Sequence, residues 1–348
     1  MNVSTDGAAL VLDAGTLGLE RREVETTLGR VVVHIRAGVA GAGSPLILLH
    51  GAAGSWSTWT PLIAEWDRRG DMAGRAFVLV DLPGWGGSPF PDDEDAYTIE
   101  ALGDAVLEAA DAALGDTTLE AGKASPGETV LNETALDATA PDAIVPDAHS
   151  PGSRYRLVGH SLGGFVALHL AAEAPARVSR VDLVSAVSFA VIDSGAHPVR
   201  AFRRLPGFTG LLQGMRFLAI LPGRGAPLVR FLTRLGLLPL LVSPLFDRRR
   251  PVHPSVVAAL GVELRPRAFV AGTKRAARYP ANERWRRITC PVHLVSGDRD
   301  VFVSRDDPAA LARTVPTLRR TRLARTGHFA HIENLDGTLE AWGSDTRR

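Results

Sequence analysis

The stretch Tyr155-Arg156-Leu157-Val158-Gly159-His160-Ser161-Leu162-Gly163-Gly164 decides the fold. Its first four residues read as a strand, and Leu162 to Ala174 reads as a helix. Between them lies Gly-x-Ser-x-Gly. A strand-to-helix turn this tight leaves no room for a side chain at Gly159 or Gly163. It leaves Ser161 strained at the tip with its hydroxyl exposed. The Leu162 amide, at the helix N-terminus, points to where negative charge would develop on an attacked carbonyl.

Outward from this turn, apolar runs bounded by turn signals recur. Arg30–Ile35, Pro45–Leu49, Ala76–Val80, Val181–Val184 and Val292–Val295 read as further strands. Several are continuous rather than alternating, as expected of strands covered on both faces of a mainly parallel sheet. Helical segments lie between them, at Trp59–Arg69 and Ile99–Ala113 as well as after Ser161. Strand alternating with helix implies an α/β sheet with right-handed crossovers. Two segments interrupt the alternation. Residues 115–153 are rich in Ala, Asp, Thr, Gly and Pro and read as a flexible insertion. Residues 188–287 carry helical periodicity, with apolar patches at Leu211-Leu212, Phe217-Leu218, Leu228-Val229, Phe231-Leu232 and Leu235–Val242. They read as a helical subdomain set into the sheet protein. The expected core is therefore 24–187 with 288–348.

Ser161 needs a base, and the base needs an orienting acid. The strand Val292–Val295 runs into Ser296-Gly297-Asp298-Arg299-Asp300, and Leu323-Ala324-Arg325-Thr326 leads into Gly327-His328-Phe329-Ala330-His331. Asp300 and His328 are the expected acid and base. A neutral imidazole can take the serine proton near pH 7, and a carboxylate on its other nitrogen fixes the tautomer. Asp298 and His331 are the alternatives; Asp298 reads better as a turn residue and His331 as a packing residue. His50-Gly51-Ala52-Ala53-Gly54 ends another strand, and Ala52 is the expected second oxyanion donor. Asp81-Leu82-Pro83-Gly84-Trp85-Gly86-Gly87-Ser88 ends a third. There Asp81 reads as structural and Trp85 as a candidate pocket wall.

Composition bounds the rest. The 348 residues are 45% hydrophobic and 22% charged, which excludes wholesale disorder. No run of eighteen apolar residues exists, so no integral membrane segment is expected. Met1–Arg22 lacks a basic stretch followed by an apolar run, which points to a cytoplasmic protein. The single cysteine, Cys290, excludes an intrachain disulfide and any cysteine-cluster metal site. Net charge is +1, with acids concentrated in 92–149 and arginines in 197–290. Only two lysines occur, so arginine reads as the general surface cation, and no nucleic-acid partner is expected.

With these motifs in hand, the chain resembles the serine-nucleophile members of the α/β-hydrolase superfamily, in the style of capped esterases and C–C bond hydrolases. The resemblance covers Arg30–Ala113, Tyr155–Val187 and Ile288–Glu340. It implies an α/β fold with a mostly parallel central sheet flanked by helices and an inserted helical cap at 188–287. The chain order Ser161, Asp300, His328 is the family's order. It also implies acyl transfer to water, with Ala52 and Leu162 as the oxyanion hole, on a small-molecule substrate, without cofactor or metal. Hydrolysis of a carboxylic ester comes first. Cleavage of a vinylogous diketo acid, acyl transfer or peracid formation, and ligand binding without turnover are the alternatives. Epoxide hydrolases and haloalkane dehalogenases of similar fold carry aspartate at the elbow, and Ser161 argues against both. Three features depart from the family pattern: the 115–153 segment, Leu335 where proline is common, and a short C-terminal helix. Oligomeric state is not indicated. The stretch Leu235–Val242 with Arg248-Arg249-Arg250 is compatible with a membrane contact.

Overall fold

The computed structural model describes residues 11–39, 41–123, 154–221, 226–237, 243–247 and 252–343. Eight strands form one sheet: β1 (Glu20–Thr26), β2 (Gly29–Arg36), β3 (Leu46–Leu49), β4 (Phe77–Asp81), β5 (Tyr155–His160), β6 (Val178–Val184), β7 (Val292–Gly297) and β8 (Leu318–Leu323). Their spatial order is β1-β2-β4-β3-β5-β6-β7-β8. β1 and β2 pair antiparallel, as do β2 and β4. All later pairings are parallel.

Both faces of the sheet are covered, which explains the continuous apolar runs. Side chains alternate along a strand. In β3, Ile47 and Leu49 join one core cluster while Leu46 and Leu48 join another. In β4, Val78 and Val80 go with the first and Phe77 and Leu79 with the second. The helices α1 (Thr60–Arg69), α2 (Ile99–Lys123) and α3 (Leu162–Glu173) provide the crossovers between the early strands. α3 is apolar save for His169, which is bonded to the Tyr279 hydroxyl, up to its last residue, Glu173, and is buried from Leu162 through Ala172, as a helix pressed against a sheet and covered by others must be.

Two expectations are corrected, and one strand is added to those read from the sequence. The sheet starts at Glu20, ahead of residue 24, because β1 pairs along β2 through seven residues. β8, Leu-Arg-Arg-Thr-Arg-Leu, is a strand despite its arginines, for it lies at the sheet's open edge. α2 continues past Gly115 to Lys123, so the segment expected as a flexible insertion begins as helix. The remainder of that segment, 124–153, lies outside the described residues.

Between β6 and β7 the described chain is helical: α4 (Phe189–Ala196), α5 (Pro198–Ala201), α6 (Pro206–Ile220), α7 (Ala226–Arg234), α8 (Pro254–Val262), α9 (Pro266–Ala276) and α10 (Ala281–Arg284). A short helix α11 (Asp307–Thr314) joins β7 to β8, and α12 (Ala330–Glu333) and α13 (Leu335–Gly343) follow β8. Among the described residues, several polar ties hold the insertion to the rest of the fold. The Ser188 hydroxyl donates to Asp307 Oδ2 at 3.0 Å, and burial lifts the Asp307 carboxyl to about 6. On the other side Glu263 Oε2 accepts the Gly86 N–H at 2.8 Å, while Arg265 donates to the Gly86 carbonyl at 2.8 Å.

Candidate active site

Ser161 sits where β5 turns into α3, with φ +51° and ψ −114°. This region is sparsely populated for any residue with a Cβ. The neighbouring glycines are sterically required. A Cβ at Gly163 would lie 2.1 Å from the Leu49 carbonyl oxygen, and one at Gly159 would lie 2.7 Å from the Gly164 Cα. The close packing of β3 and β5 against the start of α3 thus forces the turn, and the turn holds Ser161 out.

Asp300 and His328 come together from separate loops. His328 Nδ1 lies 2.9 Å from Asp300 Oδ2 and 3.0 Å from Oδ1. An imidazole beside a carboxylate carries its proton on the facing nitrogen, so Nδ1–H donates and Nε2 is left as an acceptor. The pair is almost wholly enclosed, at 3% and 2% side-chain exposure. The loop after β7 orients the acid: Asp300 Oδ1 also accepts the N–H groups of Phe302 at 2.7 Å and Val303 at 3.1 Å. His328 is anchored by its own N–H, which donates to the Leu245 carbonyl at 2.7 Å.

Ser161 and His328 both face a cavity of about 450 Å³. Among the described hydrogen bonds none joins their side chains. Such bonds often tighten only when substrate arrives. Ala52 and Leu162 line the same cavity. Neither backbone N–H has an acceptor among the described residues, and Leu162, as the first residue of α3, has no intrahelical one available. Two free donors beside a serine match what a developing oxyanion requires.

The remaining lining is apolar. Phe208, Leu211, Met215 and Leu218 come from α6, Leu232 from α7 and Phe269 from α9. Thr273 is the one other side chain with a hydroxyl, and it is spent on the Phe269 carbonyl at 2.9 Å. No Asp, Glu, Lys or Arg is among the described lining residues. Leu211, Leu218 and Leu232 belong to apolar patches visible in the sequence; their choice of face was not visible there.

Trp85 is corrected. It is fully buried and absent from the lining. A Cβ at Gly272, a lining residue, would stand 3.8 Å from the Trp85 ring, so the indole backs the wall from behind. The alternatives resolve by contact. Asp298 Oδ1 accepts the Thr326 N–H at 3.2 Å and makes no hydrogen bond with His328 among the described residues. His331 packs against Trp59 with ring centroids 4.5 Å apart and planes tilted by 37°, and neither of its nitrogens has a partner among the described residues. Burial holds its imidazole down to about 3, so it is neutral.

Two supporting histidines were not singled out from sequence. His50 Nδ1–H donates to the Gly51 carbonyl at 2.8 Å, and Nε2 accepts the Leu82 N–H at 3.0 Å. It ties the loop carrying Ala52 to the end of β4, and burial keeps it neutral with a pKa of about 4. His160 Nε2–H donates to the His328 carbonyl at 3.1 Å, and its ring packs between His328, Phe329 and His331. Asp81 is structural, as expected. Its carboxylate accepts the N–H groups of Trp56 and Gly87, each at 2.8 Å. Burial raises it to about 6.

A family model described as the alpha/beta hydrolase fold matches residues 44–335. No curated protein matches the sequence. Solved structures of similar fold include a thermophilic esterase from Thermogutta terrifontis, at 18% identity and TM-score 0.59, covering 94% of this chain and 98% of that one. An enol-lactonase from Burkholderia xenovorans matches at 18% identity and TM-score 0.57, over 94% and 100%. An epoxide hydrolase from Vigna radiata matches at 21% identity and TM-score 0.60, over 95% and 99%. At these identities the likeness is one of fold.

Proposed function

Since the chain belongs to the α/β-hydrolase fold family, we propose that it hydrolyses a carboxylic ester, or a related acyl bond, of a small and mainly apolar substrate. The observation that carries this reading is the enclosed Asp300–His328 pair, whose imidazole faces the same cavity as a serine held at φ +51°.

In this reading the helices between β6 and β7 are a cap over the site. His328 Nε2 takes the Ser161 proton as Oγ attacks the carbonyl carbon. The carbonyl oxygen gains negative charge and is held by the Ala52 and Leu162 N–H groups. Asp300 stabilises the imidazolium. The tetrahedral centre collapses, His328 returns the proton to the departing alkoxide, and the alcohol leaves. Water, deprotonated by His328, then attacks the acyl-serine, and the acid departs with Ser161 restored. The lining favours uncharged esters. A diketo acid would bring carboxylates to a wall with no described arginine or lysine, at a large desolvation cost. Serine at the elbow argues against epoxide opening.

The test is a p-nitrophenyl ester series, from short to long acyl chains, with wild type and Ser161→Ala. Turnover should fall by roughly a million-fold in the variant. Turnover that persists in folded Ser161→Ala would overturn the reading.

A further inference from the structure

Ten large hydrophobic side chains stand exposed among the described residues, and nine of them lie between residues 199 and 262, in the helical insertion. Single exposed apolar groups are ordinary, but a group of this kind marks a contact surface. The side chains fall into stripes. On α6, Phe217 and Ile220 are three residues apart and share a face, at 58% and 80% exposure. The Phe202 ring edge extends this stripe, lying 4.0 Å from where a Cβ on Gly210 would be. On α7, Leu228 and Phe231 are exposed and spaced along one face, and exposed Leu235 continues their seven-residue spacing just past the helix end.

The same two helices line the cavity with other residues, Leu211, Met215 and Leu218 from α6 and Leu232 from α7. α6 therefore meets an apolar environment on the cavity side and presents apolar groups on the outer side as well. Its one charged residue is Arg216. A helix apolar nearly all round is expected to be covered on both faces.

Charge selects what covers the outer face. From Ser194 to Phe246 the sequence holds seven arginines and no Asp, Glu or Lys. Arg200, Arg203, Arg204 and Arg234 are exposed, with Arg200 paired to Asp193. A second copy docked face to face would set arginines against arginines. An anionic lipid surface would satisfy both the apolar stripes and the guanidinium groups. Among the described residues no helix is long and apolar enough to cross a bilayer, so the contact is one of lying on the surface.

We propose that the α6–α7 face of the insertion docks on anionic membranes and that the cavity receives its uncharged ester from the lipid phase. The second half rests on the ester-hydrolase reading, whereas the docking itself does not. It differs from the contact compatible with the sequence alone. That one centred on Leu235–Val242 and Arg248–Arg250, of which 238–242 and 248–250 lie outside the described residues.

The test is cosedimentation with vesicles of phosphatidylcholine alone and of phosphatidylcholine mixed equally with phosphatidylglycerol. Wild type and Ser161→Ala should both bind the anionic vesicles, more weakly as salt rises, and bind the neutral ones poorly. Phe217→Ser/Ile220→Ser should bind the anionic vesicles roughly tenfold or more weakly. It should keep the wild-type unfolding transition and the wild-type turnover of a soluble short-chain ester. Arg203→Glu should reduce the preference for phosphatidylglycerol. Absence of cosedimentation, or equal binding by the Phe217/Ile220 variant, would overturn the proposal. So would a wild-type dimer that this variant dissolves, since a second copy would then cover the face. Vesicle binding by a protein without Ser161-dependent ester turnover would keep the docking and remove the hydrolase reading alone.

Discussion

In β3 of the sheet Leu46, Ile47, Leu48 and Leu49 are all fully buried, whereas in the helical insertion Phe202, Phe217 and Ile220 stand more than half exposed. The two regions also divide the candidate site between them. Ser161, Asp300 and His328 follow β5, β7 and β8, their side chains are buried, and their loops are pinned by backbone hydrogen bonds. The insertion supplies most of the apolar wall. On the proposed reading, the difference teaches that the chemistry sits in the closely packed region and the fit to a substrate in the more exposed one. Variation in the insertion should alter what is accepted. Variation at the sheet should alter whether anything happens at all.

The largest expected effect tests the sheet half. Asp300→Asn keeps an oxygen for the Phe302 and Val303 N–H groups but sets an amide donor toward His328 Nδ1. The imidazole would adopt the other tautomer, with Nε2 protonated and unable to receive the serine proton. Turnover of a short-chain ester should drop by about 10⁴ with an unchanged fold, measured by steady-state kinetics beside circular dichroism. A loss below tenfold would mean that the pair is structural.

A smaller effect is expected from the insertion. Leu218→Trp adds bulk where α6 lines the cavity. The value of kcat/KM for the longest acyl chains should fall about 10–200-fold, while the shortest are unchanged. The optimum across the ester series then moves to shorter chains. A uniform loss at every length would show that the wall and the chemistry are not separable in the way described.

The smallest effect concerns stability and sharpens the contrast from within the sheet half. His331 is held neutral, with its pKa lowered from 6.5 to about 3. The unfolded chain binds the proton more readily between those values, so stability is fully present above 6.5 and is lost as pH falls toward 3. His50, lowered to about 4, adds in the same direction. Asp81 and Asp307, raised to about 6, act oppositely, gaining stability as pH falls from 6 toward 3.8. His331→Leu should therefore flatten the acid arm of Tm against pH, with little change at pH 7.5. An unaltered acid arm would remove His331 as its source.

The two regions were also unequally legible in the sequence. The inner strands could be read because cover on both faces makes a run such as Leu46–Leu49 apolar at every position. The elbow could be read because the packing of β3, β5 and α3 permits only glycine at Gly159 and Gly163. The outer strands hid themselves: β1 is Glu-Arg-Arg-Glu-Val-Glu-Thr, and β8 has arginine at three of six positions, since each is only half covered. In the insertion, Leu211 and Phe217 look alike in sequence, yet one lines the cavity and the other faces outward. Helical spacing tells which residues share a face, and only the tertiary packing tells what that face meets. Trp85 was misjudged for the same reason, since a loop position beside the site does not say how many layers deep an indole lies.

The charged outer strands have a consequence for the protein in a crowded solution. An open sheet has two free rims of backbone N–H and C=O groups, each a template for pairing with another chain. Here one rim carries three glutamates and two arginines and the other carries three arginines. A neighbouring strand would have to bury or crowd those charges to add itself. The sheet is thereby guarded against sideways recruitment, and the greasy face of the insertion can be tolerated because it is made of helices, which offer no unpaired edge on which a fibril could grow.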